Sequence, residues 1–343
     1  MKILNWMLAG LVSALCVPAI GTAQTSAAPS AKPQLQMQSL DDQSHPDPFP
    51  KANPKYFTAT VPTLDTVNAF LKANWGYDTA RIWRVEAIQT TAAPGMSKVV
   101  VFISATTPNA KVQSAAFFVT PDGKHALTGD QVVPFGPTPF AENRELLKAR
   151  ADGAGRGAAG KDLLLVEFAD MQCPHCKDAQ ETMDKLVKDF PNARVVYQSF
   201  PLVEIHPFAF KSAAYGYCVQ KQNSAAFFSY SAAVFENQAA LTPETGDQTL
   251  KDAVTKAGLD PAAIDACSQT QAIKDQVNAS VKLAEDIGVT ETPTLSVNGR
   301  LLPVTQLPYE VLKQIVSYQA DLDGVKTGEV KPTLPSLMGR LLR

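Results

Sequence analysis

The chain has 343 residues, with 31 basic side chains against 33 acidic ones and a net charge of −2. So even a balance, without a basic run anywhere, argues against a nucleic-acid-binding role. The length allows two domains of ordinary size once any processed segment is removed.

Met1-Lys2 forms a short positive start, followed by an apolar stretch from Ile3 to Ile20 broken only by Asn5, Ser13 and Pro18. Gly21-Thr22-Ala23 then supplies small residues before Gln24. This pattern predicts a secretory signal peptide over residues 1–23, cleaved near Ala23, in preference to an uncleaved membrane anchor. Cys16 belongs to the discarded segment. Residues 24–50, rich in Pro, Ser, Gln and Ala, read as a flexible leader in which His45 is solvated.

Residues 51–140 are predicted to form a small α+β domain. Thr63 can cap a helix running through Asn74, with Leu64, Val67, Phe70 and Leu71 on one face. Strand-like runs follow at 81–90, 98–105 and 112–120. The turn Pro121-Asp122-Gly123-Lys124 leads into a fourth run, 126–133, so the last two pair as a hairpin. With no cysteine, one histidine (His125) and no clustered carboxylates, this domain is expected to serve assembly or partner contact. Residues 141–160 read as a linker helix and a glycine-rich hinge, since 151–160 hold four glycines. The run lacks the Gly-Lys-Ser/Thr ending of a phosphate loop.

Residues 161–321 read as a second domain, with 322–343 as a tail. Leu163–Phe168 is a short strand of the type buried on both faces. Cys173-Pro174-His175-Cys176 opens a helix to about Asp189, and 194–200 is a second strand. A helical section spans about Pro207 to Ile287, with breaks near Asn223, 242–246, 258–261 and Thr270. Thr294–Val297 turns at Asn298-Gly299 into 301–304, and a last helix covers 309–320. Strand, helix, strand, helical insertion, hairpin and helix together predict an α/β thioredoxin-like domain with an inserted helical subdomain.

Four cysteines survive cleavage: Cys173, Cys176, Cys218 and Cys267. An even count in an exported chain fits two disulfides, and the Cys173–Cys176 spacing favours a local pair, which leaves Cys218 with Cys267. Zinc would want a second close cysteine pair, whereas Cys218 and Cys267 stand singly, 49 residues apart, so no metal is expected. Cys173 at the helix start meets unpaired backbone N–H groups, and protonated His175 can add positive charge. Both lower the pKa of Cys173, read here as an exposed nucleophile, with Cys176 as the resolving thiol. Pro174 suits a first helical turn.

Residues 160–321 resemble the DsbA-like family of periplasmic thiol–disulfide oxidoreductases. The resemblance is carried by Val166-Glu167-Phe168, Cys173-Pro174-His175-Cys176 and Thr292-Pro293-Thr294 before Leu295-Ser296-Val297-Asn298-Gly299. It implies an oxidase that needs no cofactor beyond its own disulfide. It also implies a cis Pro293 against the active site and backbone contacts from Thr292 to substrate. Glu167 would be a buried acid that relays a proton, His206 would cap or pack, and Cys218–Cys267 would be a structural bridge. That bridge closes a loop of about 50 residues, worth up to roughly 4 kcal/mol.

Expected partners are unfolded or partly oxidised exported proteins and a membrane redox partner for recycling. The first domain is faintly similar to the dimerisation domain of the DsbC/DsbG isomerases, which keeps open a homodimer and an isomerase or reductase direction. A third alternative is a non-enzymatic chaperone or binding module.

Overall fold

The computed structural model describes residues 48–107, 109–129 and 131–329. The expected signal peptide, most of the leader and the end of the tail lie outside these residues. The chain divides into two compact units. One comprises Ala80–Val133 with the described residues up to Pro62; the other comprises Thr63–Thr79 with the described residues from Pro134 onward.

The first unit is a five-stranded antiparallel meander of β1 (Arg81–Thr90), β2 (Ser97–Ala105), β3 (Gln113–Val119), β4 (His125–Thr128) and β5 (Gln131–Pro134), in that order. Val85, Val99, Val101, Phe117 and Val119 are all buried, because alternate residues of a pleated strand share a face. The run expected at 126–133 is two short strands, β4 and β5, separated by Gly129 at φ 66°. Asp122 shapes the β3–β4 turn. It accepts from the Lys124 amide at 2.9 Å and lies 2.9 Å from His125 Nδ1.

In the second unit α1 (Leu64–Trp75) is capped by Thr63, whose Oγ1 accepts from the Thr66 amide. The sequence reading attached this helix to the first domain. Its contacts lie with the second unit, where Arg300 donates to the Ala73 carbonyl at 3.0 Å and to that of Asn74. Those acceptors are carbonyls left unpaired at a helix end.

A five-stranded sheet runs in the order β10 (Arg300–Pro303), β9 (Thr294–Val297), β7 (Leu163–Ala169), β8 (Ala193–Ser199), β6 (Ala154–Gly157). β7 and β8 are parallel, and the other pairs are antiparallel. One face carries Leu163, Leu165, Val195, Leu295 and Val297 against α3 (Pro174–Asp189) and α9 (Tyr309–Leu322). The opposite face carries Leu164, Val166, Phe168 and Val196 against α2 (Ala141–Arg150) and α8 (Gln271–Asp286). Between β8 and β9 lies the expected helical insertion. It contains α4 (Ala209–Gln222), α5 (Ala226–Glu236), α6 (Gly246–Lys256) and α7 (Pro261–Ser268), and α8 closes it.

The glycine-rich stretch corrects the sequence reading. It is β6, the edge strand beside β8, and not a hinge. Its glycines let two backbones approach closely: a Cβ on Gly153 would stand 2.0 Å from the Tyr197 carbonyl oxygen. Gly157 adopts φ 81°, and a Cβ there would stand 2.3 Å from the Ala193 carbonyl oxygen. Among the described residues no helix is long and apolar enough to cross a membrane.

Candidate active site

β7 delivers the chain to the site, and Asp170 turns it. The Asp170 carboxylate is fully buried and accepts from the Gln172 amide (2.7 Å) and the Leu202 amide (2.9 Å), with His206 Nδ1 at 2.7 Å. One side chain thus ties the segment before the active-site helix to the loop after β8. His206, expected to cap or pack, is the partner of this acid.

α3 begins with Cys173 at the N-cap and Pro174 in the first turn. Proline is tolerated there because its missing N–H would have had no helical partner. The Cys173 carbonyl accepts from the amides of Cys176 (3.1 Å) and Lys177 (3.3 Å), which starts the helix while the side chain leaves the cap unused. In its thiol form Cys173 donates to the Thr292 carbonyl at 3.7 Å, and the Thr292–Pro293 peptide is cis. From the insertion, Gln238 Nε2 donates to the carbonyls of Met171 and Cys173, both at 2.9 Å.

Cys173 and Cys176 are free thiols with opposite tendencies. Cys173 is lowered to about 5, first by the hydrogen bond from the Cys176 thiol, against the opposing effect of burial. The Thr292 hydroxyl and the backbone N–H groups of Cys176 and His175 add to the lowering. Cys176 is wholly buried, and that burial pushes its thiol far up; the neighbouring Cys173 and Glu167 charges push the same way. Two details differ from the sequence reading. Cys173 is only 5% exposed, with the Thr292 carbonyl at its sulfur and Gln238 at its own carbonyl. The His175 imidazole is three-quarters exposed and turns towards Asp178, 4.0 Å away, so His175 acts on Cys173 through its backbone.

Glu167 lies on β7 behind Cys176 and is 2% exposed. Loss of hydration pushes its carboxyl up to about 7, opposed by a 2.9 Å hydrogen bond from Gln180 and by the Arg156 charge. Gln180 Nε2 also donates to the Cys176 carbonyl at 2.9 Å, coupling acid to helix. Gln180 lines an open groove of about 680 Å³ shared with Arg156, Lys177, Asp184 and Phe228. Asp170, Gln180 and Gln238 were missed from sequence. For Gln180 the signal was its position four residues after Cys176, which places both on one helix face.

Cys218 and Cys267 form a disulfide, S–S 2.04 Å, that joins α4 to α7 within the insertion. Among the described residues no group of three or more His, Cys, Asp or Glu could hold a metal ion. The site therefore assembles Cys173, Pro174, Cys176, Glu167, Thr292 and Pro293, with His175 at its rim and Cys218–Cys267 apart in the insertion. An acidic nucleophile beside a reluctant thiol and a buried acid can exchange disulfides.

Residues 155–317 match the family model described as Thioredoxin. Among curated proteins, an Na(+)/H(+) antiporter NhaA 1 of Salinispora arenicola is 29% identical over 151 residues, covering 42% of this chain and 21% of the antiporter. The chain thus spans about a fifth of the length of the curated relatives it matches. Among solved structures, Proteus mirabilis ScsC in a transitional conformation aligns at 22% identity and TM-score 0.46, covering 54% of this chain and 78% of that one. Oxidised BdbD from Bacillus subtilis aligns at 20% identity and TM-score 0.45, covering 51% and 95%.

Proposed function

We propose that the chain, whose residues 155–317 match the family model described as Thioredoxin, is a thiol–disulfide exchange enzyme, exported to the periplasm, that oxidises client proteins. The observation that carries this reading is the unequal thiol pair at the start of α3, with Cys173 lowered to about 5 and Cys176 pushed up.

A client thiolate attacks Cys173 Sγ of the oxidised pair. The Cys173–Cys176 bond breaks, and Cys176 leaves with the electron pair and takes a proton from Glu167. The client's second thiolate then attacks its own sulfur in the mixed disulfide and expels Cys173. Two electrons pass from client to protein. A thiol of pKa about 5 is a good leaving group, which favours this direction. A membrane redox partner then restores the disulfide. Cys218–Cys267 holds the insertion together, and no cofactor takes part.

The test is the reduction potential of the Cys173–Cys176 pair against glutathione, with refolding of reduced and of scrambled clients. An oxidase gives a potential well above about −230 mV and acts on the reduced client. A potential near thioredoxin's, about −270 mV, would overturn the oxidase assignment. A dimeric isomerase is the second reading, favoured by Phe118 and Val132, which are 39% and 63% exposed on the first unit and could meet a second copy. A monomeric mass in solution removes it.

A further inference from the structure

Tyr197 stands on β8 as the Cα partner of Glu167 on the parallel strand β7. Side chains at paired positions of neighbouring strands share a sheet face. That face is covered by α3, and Tyr197 belongs to the same buried cluster as Cys173 and Cys176. Its ring packs on Phe227 of α5, with centroids 5.2 Å apart, and the residue is 4% exposed. Its hydroxyl is buried with no hydrogen-bond partner among the described residues. A buried, unpaired phenol costs free energy that phenylalanine would avoid, so the oxygen calls for a use.

The groups around it narrow that use. Asp170 already takes two amide donors and His206. Tyr230 of α5 donates to the Ser212 carbonyl at 3.0 Å, and Tyr217 of α4 donates to Asp152 at 3.0 Å. Arg156 of β6 and Asp184 of α3 are paired with each other at 2.5 Å. Cys173 is engaged with Thr292. Two acceptors of this buried region keep spare capacity, Cys176 Sγ, whose donor is the Asp170 amide, and the Glu167 oxygen not held by Gln180, and neither accepts from the phenol in the resting structure. Of the two, Cys176 is the one held neutral by burial until exchange draws its proton away.

We propose that the Tyr197 phenol O–H supplies the hydrogen bond for negative charge forming on Cys176 as the mixed disulfide resolves. This rests on the exchange reading above and names a group that speeds one step of it. A donor idle in the resting state and engaged when charge appears favours the transition state over the ground state. Burial holds the phenol protonated, so it stays a donor across the working pH range.

The test mixes reduced protein with oxidised glutathione from pH 5 to 9, quenches with acid and separates species by mass. The Cys173 thiolate attacks oxidised glutathione, expels one glutathione thiolate and forms the mixed disulfide. Cys176 then passes its proton to Glu167, its thiolate attacks Cys173 Sγ, and the second glutathione thiolate leaves. Tyr197→Phe removes one oxygen and leaves the ring packing. It should slow the second step about tenfold across the range, leaving the first step and the Glu167-set midpoint of the pH profile unchanged. A resolving step that superimposes on the parent's overturns this inference and leaves the exchange reading standing. A parent protein that forms no mixed disulfide at any pH overturns both.

Discussion

The two cysteine pairs of the second unit hold the same atoms in opposite situations. Cys173 sits at a helix start, where backbone N–H groups lack carbonyl partners and a neighbouring thiol donates to its sulfur. Cys218 sits inside α4, where the amides are committed to the helix, and it is fully buried. A thiolate there would find no donor and no water, so its stable state is the bond to Cys267. The difference shows that the idle donors around a sulfur, more than the sulfur itself, decide whether a cysteine trades electrons or ties helices.

The strongest challenge to this contrast is to remove each pair. Cys173→Ser should lower exchange with a reduced client by about a thousandfold or more, with little change in melting temperature. Cys218→Ser combined with Cys267→Ser should do the reverse, keeping the exchange rate and losing up to about 4 kcal/mol, roughly 8–16 °C in Tm by calorimetry. Exchanged outcomes would break the assignment of the two pairs.

A smaller effect separates their surroundings. Glu167 rises from 4.5 to about 7 on folding, so between those values the native state keeps a proton that the unfolded chain has lost. Stability therefore falls as pH rises from about 4.5 to 7, by up to about 3 kcal/mol above that range. Glu167→Gln should recover this in urea titrations at pH 8 and change little at pH 4. A uniform gain at both pH values would show that the acid is not strained by burial. The smallest effect concerns His175. His175→Ala keeps the backbone donor and removes an exposed ring, so the Cys173 thiolate absorbance near 240 nm should shift its midpoint by no more than about one unit. A shift of several units would return the main role to the imidazole.

Most of this architecture was legible because its signals are local. Leu163–Phe168 reads as a doubly buried strand from composition alone, and the observed strand, Leu163–Ala169, is buried at all seven positions. The breaks expected near Asn223, 242–246, 258–261 and Thr270 fall between the helices of the insertion. Glycine was the ambiguous signal. A run of it serves a free hinge or a tight backbone approach equally well, and only the carbonyls facing Gly153 and Gly157 decide between them. At the site, charge and sulfur were visible, whereas Gln180, Gln238 and Tyr197 were not. Neutral side chains declare a role only through the distant partners that folding brings to them.

The outer strands of the second unit's sheet, β6 and β10, are four residues each, against seven for β7 and β8. β10 ends in Pro303, which has no amide proton to offer, and its Arg300 is spent on the end of α1. Short borders of this kind give an extended polypeptide little ladder to join. The sheet is thereby guarded against edge-to-edge pairing with other chains.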